Sequence, residues 1–128
     1  MKYLLDTHTL LWWLSDSPQL SPAAVRLMED GDNEIFVSAA SAWEVTTKWV
    51  RGKLPSAAVL LPDFAAVVLE EGFLDLPVTS AHMVRSCLLP GVHRDPFDRI
   101  IAAQAIQEGM GLISTDDKIA EFGVVLHW

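Results

Sequence analysis

Cysteine is nearly absent, with Cys87 alone among 128 residues. No internal disulfide can form, and a reducing cytoplasm is the expected setting. "VRSCLLP" around it reads as a helix face, which favours a packed thiol over a nucleophile. Long apolar runs are missing too. Although 51% of the residues are hydrophobic, no run reaches the 18 uninterrupted apolar residues of a spanning helix, so no membrane association is expected. The stretch "MKYLLDTHTLLWWLSDSP" has a leader's basic-then-apolar order, but Asp6 and His8 break it and no small-x-small cleavage site follows. Basic residues are scarce, nine Lys and Arg against 17 Asp and Glu, for a net charge of −8. That balance argues against a broad basic nucleic-acid surface and leaves room for a local site. The four histidines and one cysteine show no zinc-ligand spacing.

What is present is a regular alternation. Five apolar runs read as strands: 2–5, 34–38, 73–78, 111–114 and 124–127. Four are nearly continuous, as expected of parallel strands covered on both faces. The run at 73–78 alternates and contains Pro77, which points to a sheet edge. Helical patterns lie near 8–14, 21–30, 39–51, 60–71, 79–88, 97–109 and 116–121. Ser21, Pro22 and Gly31 punctuate the second of these as N-cap, first helical residue and terminator. The order predicts an α/β/α sandwich around a mainly parallel sheet, in one domain spanning 1–128. Ligands in such folds bind beyond the carboxyl ends of the strands.

Acidic residues gather at those ends. In "HRDPFDRIIAAQA", Asp95 fits an N-cap, Pro96 the first helical position and Asp98 the third. A helical wheel puts Arg99, Gln104, Gln107 and Glu108 on a solvent face, with Asp98 opposite, in line with Ile101, Ala102 and Ala105. A carboxylate on a buried face must be hydrogen-bonded, protonated or bound to a cation. Asp6 follows the first strand directly and equally well caps the next helix. Glu44 sits four residues before Lys48, the spacing of an exposed pair, on the flank of an Ala40–Trp43–Thr47–Val50 face. Asp116 and Asp117 follow the fourth strand and also suit helix caps. Taken together, acids at or near strand exits, with no lysine within two residues of Asp6, Glu44 or Asp98, suit a divalent cation such as Mg²⁺ or Mn²⁺. Such an ion polarises phosphates and activates water, which points to phosphodiester hydrolysis.

The segments "YLLDTHTLLWWL", "FVSAASAWEVTTKWVRGKL", "HRDPFDRIIAAQA" and "LISTDDKIAEFGV" together resemble the PIN-domain ribonucleases, specifically VapC-type toxins of toxin–antitoxin modules, in a subgroup marked by DPFDR. The resemblance implies a five-stranded, mainly parallel sheet with its first strand central. It also implies a Mg²⁺- or Mn²⁺-dependent endoribonuclease whose catalytic and metal-holding acids are Asp6, Glu44, Asp98 and Asp117. Asp95, Asp116, Thr7 and Thr115 would support them. Lys48, Arg51, Lys53, Arg94 and Arg99 are candidates for RNA contact, against the plainer reading of solvated helix faces. A homodimer and a small antitoxin that blocks the acidic site are also implied. Of five tryptophans, one or two are candidates for the antitoxin groove or dimer contact, with core packing as the alternative. Thr46 and Thr47 depart from the aliphatic residues commoner there. The competing readings are a non-catalytic PIN-like scaffold and a phosphoryl-transfer domain. The latter is weakened because His8 stands where a phosphatase needs a second aspartate.

Overall fold

Tyr3, Leu4 and Leu5 are all buried, because the strand that carries them is paired on both sides and covered on both faces. In a computed structural model that describes residues 1–91 and 95–128, this strand, β1 (Lys2–Leu5), is the centre of a five-stranded sheet. The remaining strands are β2 (Glu34–Ser38), β3 (Leu74–Leu76), β4 (Gly111–Ile113) and β5 (Leu126–His127), in the order β3-β2-β1-β4-β5. Every pairing is parallel. The expected edge position of the third run holds, and Pro77 lies just past the end of its strand, where it removes no ladder hydrogen bond. The third, fourth and fifth strands are each shorter than their apolar runs.

The helices are α1 (Thr7–Leu14), α2 (Pro22–Glu29), α3 (Ala39–Val50), α4 (Phe64–Glu70), α5 (Ser80–Leu88), α6 (Pro96–Glu108) and α7 (Asp117–Ala120). The single helix expected over 60–71 is instead a 3₁₀ turn, Pro55–Leu60, followed by α4. Pro62 accounts for the break, since it lacks an N–H and disfavours helical geometry in the residue before it. The side chain of Asp63 then caps α4 by accepting the Ala66 N–H. Among the described residues, no helix is long and apolar enough to cross a membrane.

Alternate side chains of a strand point to opposite faces, and the core divides accordingly. Tyr3, Leu5, Ile35, Val37 and Ile113 pack with Leu10, Leu11, Ala24, Met28 and Val68 from α1, α2 and α4. Leu4 and Leu112 pack with Ile101, Ala102 and Ala105 of α6 and Ile119 of α7. All strands being parallel, their carboxyl ends share one end of the sheet, and Asp6, Ala39 and Ser114 leave from there.

Three expectations about faces are corrected. The polar side of α6 is a solvent face at Gln107 and Glu108, as expected, but not at Arg99 and Gln104, because α5 packs along it. Arg99 donates to the carbonyls of Ser86 and Leu89 and lies 5.0 Å from the Phe122 ring. Gln107 accepts from Arg85, and Glu108 bonds the buried His82 at 2.8 Å. Gln104 is wholly buried, accepting from Ser38 Oγ at 2.5 Å and donating to the Pro77 carbonyl at 3.2 Å. On α3 the inward face is Ala40, Ser41, Glu44 and Val45, whereas Trp43 and Val50 are exposed. Cys87 is exposed on α5 and not packed. Core packing holds for Trp12, Trp13 and Trp128, while Trp43 and Trp49 face outward.

Candidate active site

Asp6 begins where β1 ends, its N–H bonded to the Ile113 carbonyl of β4. It occupies the N-cap position of α1, yet its side chain makes no capping bond. The carboxylate turns instead to Ser114, whose Oγ donates to Asp6 Oδ2 at 2.7 Å. Burial raises its pKa above the ordinary 3.8, and the charge of Glu44 adds to that, while the Ser114 bond, His8 and the Thr7 N–H oppose it. A neighbouring pair of hydroxyl contacts fixes the backbone here. Thr7 Oγ1 meets Ser41 Oγ at 2.8 Å, joining α1 to α3, and Thr9 Oγ1 donates to the Ile113 carbonyl at 2.8 Å.

Glu44 lies just past the first turn of α3, which is capped by Ser38 accepting the Ala40 N–H. It is buried with only 3% exposure, so the exposed pair expected from its spacing to Lys48 is half right. Lys48 Nζ does donate to Glu44 Oε2, at 2.5 Å. Glu44 Oε1, equally buried, has no hydrogen-bond partner among the described residues. Burial on its own would lower the pKa of the Lys48 ammonium, but the hydrogen bond and charge of Glu44, with the charges of Asp95 and Asp98, raise it overall.

Asp95 caps α6 as expected, accepting from the N–H groups of Phe97 at 2.9 Å and Asp98 at 3.3 Å. That capping holds the first turn in place and leaves Asp98 partly buried on the cleft wall. At the end of β4, Ser114 Oγ also accepts the Asp116 N–H at 3.0 Å, so one hydroxyl ties two acids together. Asp116 in turn caps α7 through the Lys118 N–H.

These side chains line one cleft of about 440 Å³: Asp6, Glu44, Asp95, Asp98 and Asp116, with His8, Thr9, Trp12, Lys48, Thr115 and Lys118. Asp117 is exposed on the first turn of α7 and does not line it. Arg51 and Lys53 are exposed beyond α3 and also stay outside the lining, Arg99 is held by carbonyls, and Arg94 lies outside the described residues. Ser114, Ser41 and Lys118 were not singled out from the sequence, and His8 was noted there but not as a site residue. The only signal for Ser114 was its place as the last residue of the fourth apolar run. A larger groove of about 790 Å³ between α5, α6 and Gly123 carries no acidic side chain.

Among the described residues, no three His, Cys, Asp or Glu side chains stand positioned to hold a metal together. Mg²⁺ does not require such a cage, because it keeps several waters and binds through one or two carboxylates. A donor set dominated by carboxylate oxygens, with a buried one at Glu44 that lacks a partner among the described residues, fits a hydrated divalent cation.

The sequence model of the PIN domain family matches residues 3–125. Ribonuclease VapC22 of Mycobacterium tuberculosis is 30% identical over 117 residues, which is 91% of this chain and 88% of that protein. VapBC2 from Rickettsia felis, solved bound to a DNA fragment from its promoter, superposes with a TM-score of 0.72 at 18% identity, over 99% of this chain and 98% of that one. VapC20 of M. tuberculosis, a sarcin-ricin loop cleaving toxin, gives a TM-score of 0.70 at 16% identity, over 96% of each chain. FitAcB from Neisseria gonorrhoeae gives 0.66 at 20% identity, over 98% of this chain and 96% of that one.

Proposed function

This chain belongs to the PIN domain family, and from that premise we propose that it is a divalent-metal-dependent endoribonuclease, the toxin of a toxin–antitoxin pair. The observation that carries the chemistry is Glu44: a carboxylate 3% exposed, with one buried oxygen lacking a partner, in a cleft lined by four further carboxylates. Ribonuclease activity is the named activity of the relative that matches most of this chain, and sarcin-ricin loop cleavage is that of a structural neighbour.

Asp6, Glu44 and Asp98 are the residues that would hold Mg²⁺ or Mn²⁺, one or two of them directly and the rest through the waters the ion keeps. For the fourth acid the geometry favours Asp116, which lines the cleft, over the exposed Asp117. A bound divalent cation polarises the scissile phosphate and lowers the pKa of an attacking water. Ser114 keeps Asp6 oriented, Asp95 keeps the α6 terminus in place, and Thr115 lines the entry to the cleft. The acidic cleft also suits a basic side chain of an antitoxin, and a homodimer remains part of this proposal.

The experiment is cleavage of RNA by the purified protein with Mg²⁺, with Mn²⁺ and with EDTA, beside Asp6→Asn. Cleavage should require metal, and Asp6→Asn should abolish it with circular dichroism unchanged. Cleavage that persists in excess EDTA would refute the metal mechanism.

A further inference from the structure

The cleft holds an ammonium among its carboxylates, and the site as described leaves that group without a role. Lys48 follows Glu44 by one helical turn on α3, with its ammonium on Glu44 Oε2. Its side chain is 38% exposed, against 4% for that of Glu44. Of the five basic residues flagged in the sequence, it is the one among the described residues that lines the cleft. Five acids and two lysines line the space, so Lys48 offsets only part of the negative charge. Its partner's other oxygen has no hydrogen bond among the described residues. A buried carboxylate served on one side only is an incomplete arrangement, since such groups are ordinarily satisfied on both oxygens.

Resting on the ribonuclease reading, we propose that Lys48 is a catalytic residue with two alternating partners, Glu44 in the resting protein and a non-bridging oxygen of the scissile phosphate when a divalent cation occupies the carboxylates. The reason is electrostatic. An ammonium beside Glu44 is attracted while the cleft is negative, and repelled once two positive charges stand among the same oxygens. Lysine suits the exchange, being a compact point charge on a flexible four-carbon stem and a common phosphate binder. Lys48 therefore competes with the metal for Glu44 and assists the substrate after losing that competition. An ordinary helix-surface pair does neither, being a weak contact at this spacing.

The two roles predict effects of opposite sign. In Lys48→Met the stem remains and the charge is gone. The metal concentration that half-saturates the rise in melting temperature, titrated with Mn²⁺ or Mg²⁺ in the absence of RNA, should fall at least about threefold. At saturating metal, kcat/KM on a pool of randomised single-stranded RNA should fall at least about tenfold. Lys48→Arg should require more metal than wild type, because a guanidinium holds Glu44 through two parallel bonds. That variant preserves the test should Lys48→Met fail to fold. A metal titration unchanged in both variants, or cleavage by Lys48→Met within about twofold of wild type at saturating metal, overturns the proposal alone. A wild-type melt that responds to neither metal overturns the nuclease reading and this proposal with it.

Discussion

Replacing Ser114 with alanine removes one hydroxyl that serves two acids, Asp6 Oδ2 at 2.7 Å and the Asp116 N–H at 3.0 Å. Asp6 is 6% exposed, so water replaces the lost donor poorly. A hydrogen bond to a charged group contributes about 1.5–3 kcal/mol. Without metal, that loss lowers the melting temperature by roughly 6–12 °C near neutral pH, at about 4 °C per kcal/mol for a chain of this size. The deficit depends on pH in a stated direction. Asp6 binds its proton more tightly in the folded than in the unfolded chain, so stability falls as pH rises from 3.8 through the raised folded value, then levels off. Losing the Ser114 donor raises the folded value further, so the decline continues to higher pH in the variant. The gap between the two proteins is smallest in acid and opens toward neutrality. Thermal melts in EDTA across that range measure it. A difference below about 2 °C near neutrality, roughly 0.5 kcal/mol, or a gap that widens toward acid, refutes the assigned role of this hydroxyl.

Two further outcomes are expected. Asp116→Asn should reduce metal-dependent cleavage at least about tenfold, roughly 1.4 kcal/mol of transition-state stabilisation, and by more than Asp117→Asn does, since only Asp116 lines the cleft; the reverse ranking in kcat/KM would return the fourth position to Asp117. Gln104→Leu leaves the buried Ser38 hydroxyl without its acceptor and should cost about 1–3 kcal/mol, visible in denaturant titration, while the folded fraction cleaves RNA as wild type does.

Strand positions, the edge place of the third strand and the acids at the strand ends were legible because they follow from patterns a few residues long: apolar runs, a proline near an edge strand, a cap followed by proline. The central place of β1 was implied by the family resemblance and not by any local pattern. The face of α3 was not legible, and that of α6 only in part. A wheel reads polarity as exposure, which holds for Gln107 and Glu108, whereas Gln104 and Arg99 are polar because Ser38 and the carbonyls at the end of α5 supply their partners. Those partners lie elsewhere in the chain, and no local period encodes them. The same applies to Glu44. Its spacing to Lys48 was visible, but a depth that leaves one oxygen without a partner depends on the packing around α3. Asp95 shows the opposite case, since capping is a contact within three residues and was readable as such.

The bond between Asp6 and Ser114 joins residues 108 positions apart, and this bears on how the protein is made. Translation delivers Asp6, Glu44 and Lys48 before β4, Ser114 and the Asp116 wall. A nascent chain short of that point has acids and no cleft, and lacks the strand that pairs with one side of β1. The two walls of the cleft are therefore joined only once Ser114 and Asp116 have been made, so the site is assembled by long-range closure of the sheet and not by any early segment on its own.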